Sequence, residues 1–204
     1  MKQVEGREKI LLLGDPGLRR MCDPVADFEL REFQQNGRRL IRTLDQFRAE
    51  YGFGRAVSAP QIGIFQRIIA MNLGQGPFLL VNPEIAWQSE ERFTMWDDCM
   101  SFPWLMVRLE RRLTIDVSFR DERGNAQHWS RVEQAVSELV QHEADHLNGV
   151  LAVDHALDKD SIIARKLYEE RKEFFDLKVD YSIVPTIPAH LESRPSQQFL
   201  ENDK

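Results

Sequence analysis

The pattern of apolar and polar residues divides the chain into helical and extended segments. Between Phe28 and Tyr51 the apolar side chains recur at the three- and four-residue spacing of one helix face. The positions that carry this period are Leu30, Phe33, Leu40, Ile41, Leu44, Phe47 and Tyr51. Gly37 weakens the helix without ending it, so we predict one amphipathic helix that packs on the core.

The middle of the chain is predicted to form strands. Arg67 to Asn72 and Phe78 to Val81 are short apolar runs closed by turn residues. Leu113 to Phe119 alternates between apolar and polar residues, as a half-buried strand does. Asp121 to Asn125 is then typical of a hairpin turn into a further strand, Ala126 to Arg131.

Helices and a polar tail are predicted for the last third of the chain. The helical period returns between Val132 and Leu147, and Gly149 follows as a natural stop. A final helix is predicted from about Lys159 to Leu177. Asp180 to Lys204 contains three prolines, many polar residues and little periodicity, so we expect an extended or partly ordered tail.

Composition indicates one globular domain, with or without a tail. The chain has 204 residues, of which 42% are hydrophobic and 29% charged. Its 27 basic and 33 acidic residues give a net charge of −6, without a basic stripe that would favour nucleic-acid binding. Two cysteines, a polar N-terminus and the lack of a membrane-length apolar run predict a cytoplasmic protein that binds no membrane.

The strongest chemical signal is a His-Glu-x-x-His motif from His142 to His146, in the last turns of a predicted helix. Histidines four residues apart share a helix face and can bind one metal ion. Glu143 can then take the proton of a water that the metal activates. The motif indicates metal-assisted hydrolysis, although two solvated histidines on a surface helix would give the same pattern.

Two histidines leave a third metal ligand to be found. One zinc-protease pattern requires a histidine at position 152, where this chain has Ala152. Another uses a glutamate from a later helix, for which Glu169 or Glu170 is available. The remaining candidate is Cys99, which follows two acids. A lone cysteine is more often a small buried apolar residue, a description that fits Cys22 better than Cys99.

A third segment of interest runs from Gly52 to Gly63. Small residues around Pro60 allow the backbone to pass close to another group. Gln61 could offer its amide N–H to a developing oxyanion. Taken alone, this segment is only a loop before a strand.

Together the three segments resemble the signature motifs of the peptide deformylases. The family pattern is roughly Gly-x-Gly-x-Ala-Ala-Pro-Gln, then Glu-Gly-Cys-x-Ser, then Gln-His-Glu-x-Asp-His-x-x-Gly, and the order and wide spacing agree. Leu12 to Val25 also resembles the family's N-terminal segment, so the resemblance covers about residues 8 to 175. It implies an α+β fold of mixed, mostly antiparallel strands around a central metal-binding helix. The catalytic domain would span 1–177, and 178–204 would form the polar, proline-containing tail.

The resemblance also implies a mechanism. The residues that would hold one divalent metal ion, iron(II) natively with zinc or nickel as substitutes, are Cys99, His142 and His146. Glu143 would take the proton of the attacking water, while the Gln61 side chain and the Met100 backbone N–H steady the oxyanion. Asp145 would play a supporting role. The reaction would remove the formyl group from the N-terminal formyl-methionine of nascent peptides and release formate, with the ribosome as a further partner during translation.

The substrate side of the site departs from the family pattern. The residues expected there are Gly54, Ala56, Asp98, Ala135, Glu138 and Leu139. Ala56 replaces the second motif glycine and would narrow the cleft. Asp98 replaces a glycine and is expected to be solvated or paired with Arg55 or Arg108.

One substitution concerns the helix that carries the motif. Ala135, Glu138 and Leu139 precede His142 on its helix face, where the family has an apolar pocket for the methionine side chain. If Glu138 points into this pocket, a polar or basic side chain of the substrate is expected to bind better there than methionine. If it turns aside to an arginine, the preference for methionine survives.

These departures leave alternatives open. One is a deformylase for a non-methionine N-formyl peptide or a small N-formyl metabolite. Another is a catalytically inactive deformylase homologue that keeps a structural metal. An endopeptidase is a weaker reading, because the third-ligand patterns of those enzymes fail here.

Overall fold

The computed structural model describes residues 8–183. The helices are α1 (Arg31–Tyr51), α2 (Gln134–Leu147), α3 (Arg165–Glu170) and α4 (Lys172–Asp176). The strands are β1 (Ala56–Ser58), β2 (Ile68–Asn72), β3 (Pro77–Gln88), β4 (Arg92–Asp97), β5 (Leu105–Arg112), β6 (Ile115–Arg120), β7 (Ala126–Val132) and β8 (Ile162–Ala164). Short 3-10 helices occupy Pro16–Arg19, Ala59–Ile62 and Ala152–His155.

Within residues 8–183 the strands form two sheets whose neighbours run antiparallel. One sheet has the order β1-β2-β3-β6-β7 and the other the order β4-β5-β8. In β6, Ile115, Val117 and Phe119 are buried and the residues between them are not, because successive side chains point to opposite faces. The predicted α+β fold of mostly antiparallel strands is confirmed.

Helix α1 matches the first predicted helix but begins at Arg31 instead of Phe28. It ends where Gly52 takes a φ of 73° and donates its N–H to the Arg48 carbonyl. The apolar residues that it buries are Phe33, Leu40, Ile41, Leu44 and Phe47. Leu30 precedes the helix and is 53% exposed, so its expected place on the buried stripe is wrong.

The predicted strands are present with shifted ends. Strand β2 and the β6–β7 hairpin lie where the pattern placed them, and the Asp121 carboxylate accepts hydrogen bonds from the backbone of its turn. Strand β3 continues well past Val81 to Gln88, with irregular pairing to β6 near Pro83. Pro83 interrupts the apolar run in the sequence, but it does not end strand β3.

Strands β4 and β5 were not predicted, because charged residues interrupt their apolar runs. Their pairing is regular from Arg92↔Arg112 to Asp97↔Val107. Strand β5 buries Val107, Leu109 and Arg111 in alternation, so an arginine occupies an inward position. Cys99 follows directly after β4.

Helix α2 lies between the two sheets, packing against β1 of one and β5 of the other. Val136, Val140 and Leu147 pack in the core of the larger sheet, and most of the other side chains of the helix are also buried. The chain leaves the helix at Gly149, whose φ of 74° and close approach to the Arg19 carbonyl exclude a larger residue.

The single helix predicted from Lys159 to Leu177 is wrong. Ile162–Ala164 instead forms strand β8, which pairs antiparallel with β5. Its β-branched residues Ile162 and Ile163 favour a strand. Helices α3 and α4 then follow and meet at Arg171, whose φ of −131° interrupts the helical course. Phe175 of α4 packs against Trp96 of β4.

The first residues after α4 continue along β4. Asp180 accepts hydrogen bonds from the backbone and hydroxyl of Thr94, and the Tyr181 ring lies 5.4 Å from that of Phe93. The rest of the predicted tail, 184–204, lies outside the described residues. None of the helices in residues 8–183 has the length and apolar character needed to cross a membrane.

Candidate active site

The structure brings Cys99, His142 and His146 together between the two sheets. All three are buried, and one ligand atom from each lies within 4.8 Å of the others. The Cys99 Sγ is 3.2 Å from the His146 Nε2. Helix α2 presents both histidines on one face, and the turn after β4 brings the thiol to that face. Glu169 and Glu170 of α3 are exposed and do not join the cluster.

The donor set fits a divalent transition metal. One sulfur and two imidazole nitrogens are ligands that zinc, iron and nickel accept. The His142 Nδ1 lies 2.9 Å from Asp97, which leaves its Nε2 for a ligand role. Burial and the neighbouring His142 lower the pKa of His146 to about 3, so its imidazole is neutral, the form that binds metals. Burial also acts to lower the pKa of His142, but Asp97 and Cys99 outweigh it and hold that pKa well above its ordinary value, so metal binding would release a proton from His142.

A chain of polar and charged groups, buried at Asp97 and exposed at His155, supports His142 from behind. Asp97 bonds to Arg111, which also donates to Asp145 at 2.5 Å, and His155 contacts Asp145 from the surface. We call Asp97, Arg111, Asp145 and His155 the supporting network. Burial raises the pKa of Asp97, but His142 and Arg111 together outweigh it and hold that pKa well below its usual range.

The sequence analysis missed most of this network. Neither Asp97 nor Arg111 was assigned a role from the sequence. The available signal was the alternation of β5, in which Arg111 takes an inward position after Val107 and Leu109. Asp145 was expected in a supporting role, and it reaches His142 only through Arg111 and Asp97.

Glu143 and Gln61 are oriented by the same serine. The Ser58 hydroxyl lies 2.5 Å from the Glu143 carboxylate, and the Ser58 N–H donates to the Gln61 Oε1 at 2.8 Å. This turns the Gln61 Nε2 toward Ser101 at 3.2 Å and the Cys99 Sγ at 3.5 Å. Burial raises the pKa of Glu143, which favours a carboxyl able to accept and return a proton.

A cavity of about 460 Å³ opens beside these groups. The predicted site residues that line it are Gly54, Ala56, Gln61, Asp98, Cys99, Met100, Glu138, Leu139, His142 and Glu143. Ala135 is not brought to this wall, because it stands a further turn from His142 and its carbonyl accepts a hydrogen bond from Arg55 at 3.0 Å. Gly54 has a φ of 105°, and a Cβ there would meet the Met100 side chain.

Glu138 lines the cavity and also pairs with an arginine. The two orientations considered for it, into the pocket and toward an arginine, therefore occur together. Its carboxylate bonds to Arg55, and the two side chains are 2% and 10% exposed. We call Arg55 and Glu138 the wall pair. Asp98 pairs with Arg165 at 2.7 Å and with neither predicted partner. Arg165 comes from the start of α3, far away in the chain, so no local pattern announced it.

Comparison with known proteins identifies the family. A model of the family described as Polypeptide deformylase matches residues 7–161. The peptide deformylase of Thermotoga maritima is 34% identical over 158 residues, which cover 78% of this chain and 92% of that protein.

Solved structures agree. The crystal structure of the Thermotoga maritima peptide deformylase has a TM-score of 0.68 at 34% identity and covers 74% of this chain and 99% of its own. The peptide deformylase of Synechococcus elongatus in complex with actinonin has a TM-score of 0.70 at 30% identity, covering 79% and 85%. These similarities do not favour the alternatives, which were a deformylase for a non-methionine N-formyl peptide or a small N-formyl metabolite and an inactive homologue. The chain belongs to the peptide deformylase family.

Proposed function

We propose that this chain hydrolyses the formamide at the N-terminal formyl-methionine of peptides and releases formate, using one divalent metal ion. The observation that carries the proposal is the buried cluster of Cys99, His142 and His146 with Glu143 and Gln61 beside the same cavity. The resemblance favours iron(II) as the native metal, with zinc or nickel as substitutes. Action on nascent chains at the ribosome stays a prediction.

The three ligands suit a catalytic site. Three protein ligands leave one coordination position open, as hydrolytic metal centres require. A metal ion held there supplies Lewis-acid activation of the attacking water and the formyl carbonyl. The Asp97 carboxylate fixes the tautomer and orientation of His142, since its Nδ1–H donates to that oxygen.

Glu143 would move the proton. Its carboxylate takes a proton from the attacking water and passes it to the nitrogen of the peptide when the bond to the formyl carbon breaks. Ser58 holds this carboxylate in place through its hydroxyl. The products are formate and a peptide with a free amino terminus.

Gln61 and Met100 would stabilise the oxyanion that develops on the formyl oxygen. Ser58 turns the Gln61 N–H donors toward the ligand cluster, and the backbone N–H of Met100 follows Cys99 in the same turn. A donor of this kind contributes about 2.7–4 kcal/mol to transition-state stabilisation.

The test is formate release from formyl-Met-Ala-Ser by anaerobically prepared, iron-loaded protein, with Glu143→Gln as the matched control. We expect the control to retain its metal and to lose about 10²–10⁴-fold in kcat/KM, the usual contribution of a proton-transfer residue. Equal formate release by the two proteins would contradict the role of Glu143. No release from the unmodified protein would contradict the function itself.

A further inference from the structure

The wall pair lines the cavity but has no part in the proposed chemistry. Glu138 stands one helical turn before His142 on the same face of α2, and Arg55 reaches it from the segment before β1. Other parts of the lining are apolar and include Trp96, Met106 and Leu139. An ion pair therefore lies beside these apolar groups, and a second ion pair, Asp98 and Arg165, also lines the cavity.

A buried ion pair in a cavity wall contributes little to the stability of a protein. Desolvation of two charges offsets much of their attraction, and apolar side chains of similar volume stabilise a protein as well or better. Inside ligand cavities, a few placed polar groups instead determine which ligand is accepted. The position of the pair thus indicates a role in recognition.

The pair also keeps hydrogen-bonding capacity for a ligand. Within residues 8–183, Arg55 donates to the Ala135 carbonyl and to one Glu138 oxygen. A guanidinium has five N–H donors and a carboxylate has two acceptor oxygens, so donors and an acceptor remain. An amide group complements both partners, because its carbonyl accepts from Arg55 and its NH₂ donates to Glu138.

The helical spacing between Glu138 and His142 is similar to the length of the first side chain of the substrate. The formyl group must lie at the ligand cluster, and one helical turn is about 5.4 Å. A side chain of methionine length, attached one atom beyond the formamide nitrogen, spans a similar distance. A charged side chain fits less well, since it would compete for one member of the pair and leave the other buried alone.

We propose that the wall pair makes this enzyme select N-formyl peptides whose first side chain is uncharged and hydrogen-bonding, of the glutamine type, over a purely apolar chain of equal length. The inference rests on the proposed deformylase function and refines its substrate class. Methionine, whose sulfur is a weak hydrogen-bond acceptor, is expected to have a kcat/KM between those of the glutamine-type and the purely apolar side chain.

The experiment compares kcat/KM for formyl-Gln-Ala-Ser and formyl-norleucyl-Ala-Ser. We expect the glutamine peptide to be preferred by the unmodified enzyme. In Arg55→Leu/Glu138→Ile, the ratio of the two values should fall about tenfold or more, since hydrogen bonds to charged groups are lost. The matched control is Arg92→Leu/Glu110→Ile, an exposed ion pair outside the cavity, and its ratio should equal that of the unmodified enzyme.

A second variant covers a failure to fold. Glu138→Gln keeps the size of the side chain and should shift the ratio in the same direction by a smaller factor. If the unmodified enzyme prefers the norleucine peptide, or if the ratio is the same with and without the wall pair, the inference is overturned while formate release upholds the function.

Binding separates the inference from the function. In the Glu143→Gln background, calorimetry should give a lower Kd for the glutamine peptide than for the norleucine peptide, and replacing the wall pair should remove the difference. If no peptide yields formate but this difference is found, the proposed function fails, and the wall pair keeps only its preference in peptide binding. If the two peptides have equal Kd values both with and without the wall pair, the inference is overturned and the proposed function is unaffected.

Discussion

Helix α2 contacts two buried clusters of charge, and they differ in what surrounds them. The supporting network lies behind His142, where Arg111 joins the carboxylates of Asp97 and Asp145 inside the protein. The wall pair, Arg55 and Glu138, lies one turn earlier and faces the cavity. Asp97 and Arg111 are each 4% exposed and enclosed by protein groups, whereas Arg55 and Glu138, 10% and 2% exposed, border a cavity that a ligand can enter.

This difference teaches that burial alone does not assign a role to an ion pair. In the supporting network, removal of Arg111 takes the cationic partner from Asp97, a carboxylate that is buried away from water. At the wall, a ligand or solvent can replace part of what is lost. We therefore expect the network to govern stability and metal affinity, and the wall pair to govern selectivity.

The largest effect is expected from Arg111→Leu. It leaves Asp97 and Asp145 without their shared counter-ion, and breaking a buried ion pair from one side destabilises by about 3–5 kcal/mol. The free energy of unfolding in urea measures this. Arg92→Leu, at an exposed pair with Glu110, is the control and should lose no more than about 1 kcal/mol. Similar losses in both variants would abolish the contrast between enclosed and accessible charges.

Next in size is the effect of Asp97→Asn on metal affinity. The amide cannot stabilise His142 as a carboxylate does, and loss of such a partner reduces metal affinity about 10–100-fold. Competition with a chelator gives the affinity. The control is Asp98→Asn, because Asp98 pairs with Arg165 and does not contact His142. An unchanged affinity in Asp97→Asn would remove the network from the support of the metal site.

A further effect is confined to a pH window. Burial raises the pKa of Glu138 from 4.5 to about 7, although Arg55 acts against it. The folded state therefore binds this proton more tightly, so Glu138 contributes stability that is complete below pH 4.5 and lost as the pH rises to about 7. Glu138→Gln should flatten the dependence of unfolding free energy on pH in that window, by up to about 1.4 kcal/mol per pH unit.

The supporting network should behave in the opposite way. The pKa of Asp97 lies below its ordinary value of 3.8, so its contribution is present above that pH and is lost in acid. Urea unfolding between pH 2 and pH 8 measures both variants on one scale. If Asp97→Asn and Glu138→Gln change the same part of the curve, the two clusters do not differ in the way we infer.

The smallest effect is expected from replacing the whole wall pair. Arg55→Leu/Glu138→Ile removes both charges together and should leave the free energy of unfolding equal or slightly higher. Glu138→Ile alone should be less stable than the double variant, because it leaves Arg55 unpaired. A double variant that is as unstable as Arg111→Leu would show that the pair is structural.

The fold was predictable wherever one face of an element is apolar. Helix α1, helix α2 and the β6–β7 hairpin follow periods that the sequence displays. The predictions failed where tertiary contacts satisfy polar groups or override a local preference. Strand β5 carries Arg111 inside the protein, and Ile162–Ala164 joins that strand instead of beginning a helix.

By itself, the sequence indicated the family and the candidate metal ligands of this protein. The four-residue spacing of His142 and His146 places both on one face of one helix, because helix geometry is the same in every protein. The partners of Glu138 and Asp98, by contrast, were decided only by the tertiary structure. Arg55 lies 83 residues from Glu138 and Arg165 lies 67 residues from Asp98, so only chain folding brings those charges within hydrogen-bonding distance.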